Sequence, residues 1–256
     1  MAEKTPVVKV EKVEEVVDTE KKGEKVEQVS KERGRVRKTD EELKEDRLKS
    51  WIPKTTVGKS VKAGKITNID GVLDSHKILE AEIVDSLLKL KSDLLAIGQA
   101  KGKFGGGKRR IWKQTQKKTA EGNTPTFACL AVVGDENGHV GIGIGRSKET
   151  VPAREKAMRN AKLNVIKVAR SCASFDCSCS NPHTVPFIVE GKCGSIRMKL
   201  IPAPQGTGLV IGDEGKKILK LAGIKDIYSQ TFGQTRTTAN FAKALIEALK
   251  KTVKKK

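Results

Sequence analysis

The spacing of hydrophobic and polar positions changes several times along this chain. Over residues 1–38, valines are scattered among lysines and glutamates with no aromatic residue, Trp51 being the first in the sequence. Such spacing builds no face to bury, so ordering entropy goes uncompensated and a disordered tail is expected. Residues 39–50, TDEELKEDRLKS, predict a short helix capped by Thr39 or Asp40, with acids in its first turn. Within Ile78–Ile97, Leu79, Ile83, Leu87, Leu90 and Leu94 recur at helical spacing, which predicts one amphipathic helix stopped by Gly98.

Further on, the period shortens. Phe127–Val133 is an apolar run that predicts a buried strand, residues 134–138 (GDENG) are turn chemistry, and His139–Ile144 returns as a glycine-rich strand, making a β-hairpin. Ser147 or Thr150 then caps a helix expected to reach Val168, with Ala157, Met158, Ala161, Val165 and Val168 as its buried stripe. Residues 171–183, SCASFDCSCSNPH, are an irregular connector. Strands are expected over Thr184–Val189 and Ser195–Leu200, a loop over Ile201–Gly208 and a helix over Glu214–Leu221 ended by Gly223. A short strand at Asp226–Tyr228 and a final helix at Thr237–Val253 complete two α/β halves joined near the cysteines.

Composition adds a partner. The 256 residues hold 51 Lys+Arg against 31 Asp+Glu, a net charge of +20, while only 37% are hydrophobic and 4% aromatic. An excess of that size points to a polyanion, since clustered cations displace counterions from phosphates. No apolar run approaches the roughly 18–20 residues of a membrane span. The N-terminus lacks a signal-peptide core, so an intracellular protein without a membrane partner is expected. Five cysteines in a reducing compartment do not suggest a disulfide framework.

Residues 101–118 carry eight basic residues, no acid and a triple glycine, and read as a flexible basic loop that folds onto phosphate. Lys108, Arg109, Arg110, Lys113, Lys117 and Lys118 supply its charge, and Trp112 is placed to stack on a base or sugar. A solvated linker is the plain alternative. Arg154, Arg159 and Lys162 lie among the polar positions of the following helix.

Three familiar chemistries fail on spacing. Gly141–Gly145 contains GxGxG, but inside a strand and not at a strand-to-helix turn, so it is no dinucleotide site. There a glycine instead permits close approach of another backbone. No phosphate-binding GxxxxGK[ST] occurs, and His76, His139 and His183 have no nucleophile or carboxylate pair in a recognisable arrangement. No catalytic residue is assigned, and the chain is not expected to be an enzyme. Cys172, Cys177, Cys179 and His183 offer four ligands within twelve residues, a set that tetrahedral zinc accepts; small thiols that simply pack are the alternative. Structural zinc is the one cofactor considered. The amides around Gly206, Thr207 and Gly208, ahead of a helix, can hold a phosphate, and so can Thr235, Arg236 and Thr237 at the start of the last helix.

The segment FACLAVVGDENGHVGIGIGRSKETVPAREKAMRNAKLNVIKV resembles the N-terminal domain of the small-subunit ribosomal protein family S-five, whose eukaryotic member is called S-two. PHTVPFIVEGKCGSIRMKLIPAPQGTGLVIGDEGKKILKLAGIKDIY, with FGQTRTTANFAKALIEAL, resembles that family's C-terminal domain. The match covers about residues 51–250, and the cysteine-bearing connector and Lys192–Ser195 look archaeal. The resemblance implies an α+β fold: a double-stranded-RNA-binding-like domain followed by a βαβα domain. Its expected layout is a charged tail over 1–50, an extension with an amphipathic helix over 51–100, the first domain with its basic loop over 101–170, the connector over 171–183 and the second domain over 184–256.

It also implies a structural constituent of the small ribosomal subunit, located in the cytoplasm. Such a protein binds small-subunit rRNA, lies beside proteins of the S-three, S-four and S-eight families, meets mRNA near the channel by which it enters, and supports translational fidelity. The family's RNA-contacting elements map to Arg146, Ser147 and Lys148, to the PAPQGTG loop and to Thr235–Thr237. Two departures stand out. Ala120–Thr126 replaces the Gly-Arg-Arg that many members carry before the first strand, and Gln205 stands where Arg is common. A free regulatory RNA-binding protein recognising structured RNA is the alternative.

Overall fold

The computed structural model describes residues 46, 48–99, 109–179 and 181–253. The expected disordered tail and most of the 39–50 helix lie outside these residues; residues 46 and 48–50 are helical. Residues 1–50 and 51–256 are separate units, and the second carries both sheets.

Three short helices open the second unit: α1 (Thr56–Lys62), α2 (Ile69–Ser75) and α3 (Ala81–Leu87). Thr55 caps α1 by accepting from the Gly58 amide at 3.0 Å. The buried Glu80 carboxylate ties the approach to that helix, accepting from Trp51 Nε1 at 2.8 Å and from the amides of Lys54 and Thr55 at 3.0 and 2.7 Å.

The single helix expected over Ile78–Ile97 does not form. The chain turns extended at Leu88, and β1 (Lys91–Leu95) runs antiparallel to β3 (Gly122–Gly134), from Lys91 opposite Gly134 to Leu95 opposite Leu130. A strand here satisfies backbone groups along one edge of β3, which a helix would leave bare. It also sends Leu94 and Leu95 to opposite faces, each into a different apolar cluster, whereas Leu79 stays exposed.

Nor is the basic segment wholly a loop. β2 (Lys113–Thr119) pairs with the first part of β3 through a two-residue turn, so the strand expected to start at Phe127 already begins at Gly122. Every β2 residue is exposed, so no apolar alternation marks it in the sequence. β4 (His139–Ser147) takes the other edge of β3, as expected of the hairpin.

The helix α4 (Thr150–Leu163) lies across this sheet and is shorter than expected. It ends at Asn164, and the β-branched pair Val165-Ile166 opens β5 (Val165–Lys167), which pairs with β4. Neither Ser147, which ends β4, nor Thr150 caps it; the N-cap is Glu149, without a side-chain cap bond. The glycines of β4 let this helix sit flush on the sheet: a Cβ at Gly143 would lie 2.1 Å from the Ala161 nitrogen, and one at Gly145 would lie 2.1 Å from the Ala153 carbonyl.

The second half contains β6 (Val189–Cys193), β7 (Ile196–Pro202), β8 (Leu209–Val210), α5 (Asp213–Leu221), β9 (Ile227–Phe232) and α6 (Thr238–Lys250), with strand order β6-β7-β9-β8. The expected βαβα is β8–α5–β9–α6, preceded by the β6–β7 hairpin; β6 starts five residues later than expected, since Thr184 only bridges Ser171. One apolar cluster joins the halves, uniting Leu95, Leu130, Val132 and Val140 with Ile218, Leu219 and Leu245. Arg170 Nη1 donates to the carbonyls of Glu136 and Gly223, at 3.2 and 3.3 Å, across the same seam.

Candidate nucleic-acid interface and metal centre

Register decides which cations share a face. Lys113 opposes Ala128, which in turn opposes Arg146, so these two cations flank one small residue on the same side of the sheet. Lys117, opposite Thr124, continues that face, while Lys118 points to the other. Ser147 and Lys148 follow at the strand end, and Arg154 and Arg159 are exposed on α4, Arg159 lying 4.0 Å from Glu82. Lys108 lies outside the described residues. Trp112 is partly buried against the cluster under α4, so part of its ring is committed to packing and not available for stacking.

The second cationic group forms where the halves meet. Arg109 Nη1 donates to the Arg236 carbonyl at 2.6 Å, although the residues are 127 positions apart. Both line an open cleft of about 820 Å³ with Lys217, Thr235 and Thr238; Asp213 and Glu214 line it too, Glu214 lying 3.5 Å from Lys217. Thr237 is the N-cap of α6 and makes no side-chain cap bond, and the amides of Thr238 and Asn240 donate to the carbonyls of Arg236 and Thr237, both at 3.0 Å. Lys217 is partly used internally, donating to the Leu94 carbonyl at 3.2 Å.

The PAPQGTG loop differs from expectation. The amides of Gly206 and Gly208, anticipated as phosphate donors, already donate to one oxygen of the buried Asp226 at 3.1 and 2.8 Å, and Thr207 turns its hydroxyl onto the Pro204 carbonyl. An internal carboxylate fixed within bonding distance outcompetes an external anion for those donors.

The connector gathers the four ligands named by spacing. The ligand atoms of Cys172, Cys177, Cys179 and His183 all lie within 4.8 Å of one another. Cys177 Sγ is 3.1 Å from Cys179 Sγ and 3.6 Å from His183 Nε2, and Cys179 Sγ is 3.4 Å from Cys172 Sγ. A tetrahedron with zinc–sulfur bonds of about 2.3 Å has edges of about 3.8 Å, so small shifts bring these donors onto one ion. The amide of Cys179 first, then the Cys179 side chain and the Gln205 amide, hold the Cys177 thiol down to about 6. The neighbouring Cys179 sulfur above all pushes the Cys172 thiol up to about 12. Paired backbone atoms of Ser171 and Thr184, at 2.9 and 3.0 Å, close the loop that carries the cluster. Cys193, at the end of β6, and Cys129, buried in β3, stand outside it.

Two features escaped the sequence. His139 is clamped between carboxylates, Nδ1 2.6 Å from Asp135 and Nε2 2.9 Å from Asp70, and Asp70 also takes Lys167 at 2.7 Å. The i,i+4 spacing of Asp135 and His139 is visible in the sequence; Asp70, on a separate helix, is not. The open face of the second sheet carries Lys192, Arg197 and Lys199 beside Phe232, with Arg197 directly opposite Phe232. Strand alternation reveals it only when β9 runs to its full length, beyond the Tyr228 expected as its end.

A helix-backed antiparallel sheet followed by the ββ-βαβα half is the two-part architecture that the resemblance implied. Residues 111–169 match the family described as ribosomal protein S5, N-terminal domain, and residues 191–256 match its C-terminal domain. Small ribosomal subunit protein uS5 of Nanoarchaeum equitans (strain Kin4-M) is 50% identical over 206 residues, 80% of this chain and 88% of that protein. The proteins of the same name from Staphylothermus marinus and Methanocaldococcus jannaschii are 45% and 46% identical, over 83% and 79% of this chain and 93% and 88% of theirs. The chain belongs to the ribosomal protein S5 (uS5) family, and these relatives are archaeal.

Proposed function

We propose that the protein is a structural constituent of the small ribosomal subunit, acting in the cytoplasm by binding small-subunit rRNA. In this reading it helps shape the region where mRNA enters and supports translational fidelity, beside neighbours of the S-three, S-four and S-eight families. The observation that carries the reading is the convergence of cations from distant segments onto one compact unit: Arg109 with Arg236 at the cleft, and Lys113, Lys117 and Arg146 on one sheet face. Arg110, Ser147, Lys148, Arg154, Arg159, Thr235 and Thr237 extend these surfaces. Each cation that meets a phosphate releases counterions, and two linked groups fix the spacing of the RNA elements they hold. No step needs a catalytic group.

Two measurements test this. Affinity for rRNA fragments is expected to fall linearly on a log–log plot against salt, and a salt-independent affinity would sink the reading. The protein is also expected to stay with small subunits through a high-salt wash; a chain that returns to the soluble fraction would instead be a free RNA binder.

Cys172, Cys177, Cys179 and His183 are read as holding one structural zinc ion that staples the connector. The fit rests on the donor set and on His183, a residue only 3% exposed whose Nε2 lies 3.6 Å from Cys177 Sγ. One equivalent of zinc in the purified protein, lost in Cys177→Ser, is the expected result. No zinc with five titrating thiols returns the cluster to packing.

A further inference from the structure

We propose that Asp226 is the orienting carboxylate of the metal centre and that, through Asp226, the bound ion holds the 203–208 loop in place. This rests on the reading that Cys172, Cys177, Cys179 and His183 take zinc.

The geometry runs outward from the ring. His183 directs Nε2 at the thiols, 3.6 Å from Cys177 Sγ, and brings Nδ1 to 2.9 Å from Asp226 Oδ2. A ligating imidazole is neutral, so with Nε2 on the ion its single proton sits on Nδ1, facing Asp226. That contact is short but not aligned as a linear hydrogen bond, and Nδ1 is buried without another partner. A small rotation of the ring as Nε2 closes on an ion aligns it.

Asp226, 4% exposed, then spends its other oxygen on the loop. Oδ1 accepts from the amides of Gly206 and Gly208 at 3.1 and 2.8 Å. Both glycines have positive φ, +90° and +74°, and a Cβ at either would meet nothing within 4 Å. What requires glycine there is the backbone turn that aims two amides at one oxygen, not lack of space. Two further ties run alongside. The His183 carbonyl accepts from the amides of Lys225 and Asp226 at 2.9 and 3.2 Å, and Thr184 Oγ1 accepts from the Ala203 amide at 3.3 Å.

Charge supports the same assignment. Three thiolates around a divalent ion leave one net negative charge, and Asp226 adds a second nearby. The inward-turned amides of Gly206 and Gly208 are the dipoles that oppose this charge. The loop therefore serves the metal centre, and the metal centre orders the loop; because the coupling is reciprocal, either can be read through the other.

The test uses the full chain, stripped of metal under reducing conditions and titrated with cobalt(II) and then with competing zinc(II). Wild type is expected to give the ligand-field bands of a tetrahedral three-sulfur, one-nitrogen site. Asp226→Asn is expected to keep those bands but to bind about 10–100-fold more weakly, the usual effect of losing a carboxylate behind a ligating histidine. Amide exchange at Gly206 and Gly208 in wild type is expected to slow on adding metal, a readout that does not depend on any variant folding. Unchanged affinity in a folded Asp226→Asn chain, or exchange at those glycines indifferent to metal, overturns the proposal while leaving the metal centre standing. A wild-type chain that binds neither ion overturns the metal reading itself, and this proposal with it.

Discussion

Arg109 donates to the carbonyl of Arg236 at 2.6 Å, so the first half of the protein holds the turn that starts the last helix of the second. The bond consumes one edge of the Arg109 guanidinium and none of the Arg236 side chain. The two arginines should therefore fail differently. Arg236→Ala is expected to weaken rRNA binding and lower the salt slope by about 1 while leaving stability alone. Arg109→Ala is expected to do the same and also to lose up to about 1 kcal/mol of stability, because an exposed hydrogen bond goes with it. Binding isotherms at several salt concentrations, paired with urea denaturation, separate the two; equal stability losses would refute the distinction.

Gly143→Ala is expected to destabilise the fold by about 1–3 kcal/mol or more, since the added methyl would sit 2.1 Å from the Ala161 nitrogen and neither backbone can yield alone. Gly206→Ala meets open space, and its strain comes only from a φ of +90°. Thermal denaturation of the two variants should place the Gly143 change clearly lower. The reverse order would contradict the packing of α4 on β4.

The hydrogen bond that His139 donates to Asp135 first, and the partnership of Asp70 after it, raise His139 above the usual imidazole value against the opposing effect of burial. A group raised in the folded state contributes stability that is complete below its unfolded value, about 6.5, and is lost as pH rises through the folded value. Asp135 and Asp70 are both lowered, so their contribution is present at neutral pH and fades only in acid. Denaturation midpoints should therefore decline on the alkaline side of about pH 6.5, and His139→Asn should flatten that decline. A variant with the same slope as wild type would exclude His139 as its cause.

Glu80 receives three N–H donors from Trp51, Lys54 and Thr55. Burial acts to raise its carboxyl, and those donors outweigh burial and lower it. Glu80→Ala leaves the donors without their acceptor and should cost about 1–3 kcal/mol. Trp51 fluorescence reports the local change, and an unshifted spectrum would show that the indole is held by something else.

The hairpin of β3 and β4 was legible because its apolar residues are contiguous and its turn is spelled in glycine, asparagine and aspartate. The stretch from Ile78 to Ile97 was not, since Leu87, Leu90 and Leu94 fit a helical period whether or not the chain turns extended at Leu88. Only the bare edge of β3 decides that, and an edge is a property of the assembled sheet. β2 failed for the opposite reason: a strand exposed along its whole length has nothing to alternate. At the candidate sites, Cys172, Cys177, Cys179 and His183 could be grouped from spacing within one short segment. Asp226 could not, because it reaches His183 only after strands and a helix have been laid between them, and the same folding turned Gly206 and Gly208 inward to meet it.

The apolar cluster shared by Leu130, Val132 and Val140 with Ile218 and Leu219 has a consequence for synthesis. A chain growing from its N-terminus completes β3, β4 and α4 while the other side of that sheet still lacks its cover, and the cover arrives only when α5 has emerged. Until then the nascent chain presents a sticky, half-dressed sheet to its surroundings. Chaperones and early RNA contacts have that interval, and no longer, in which to shield it.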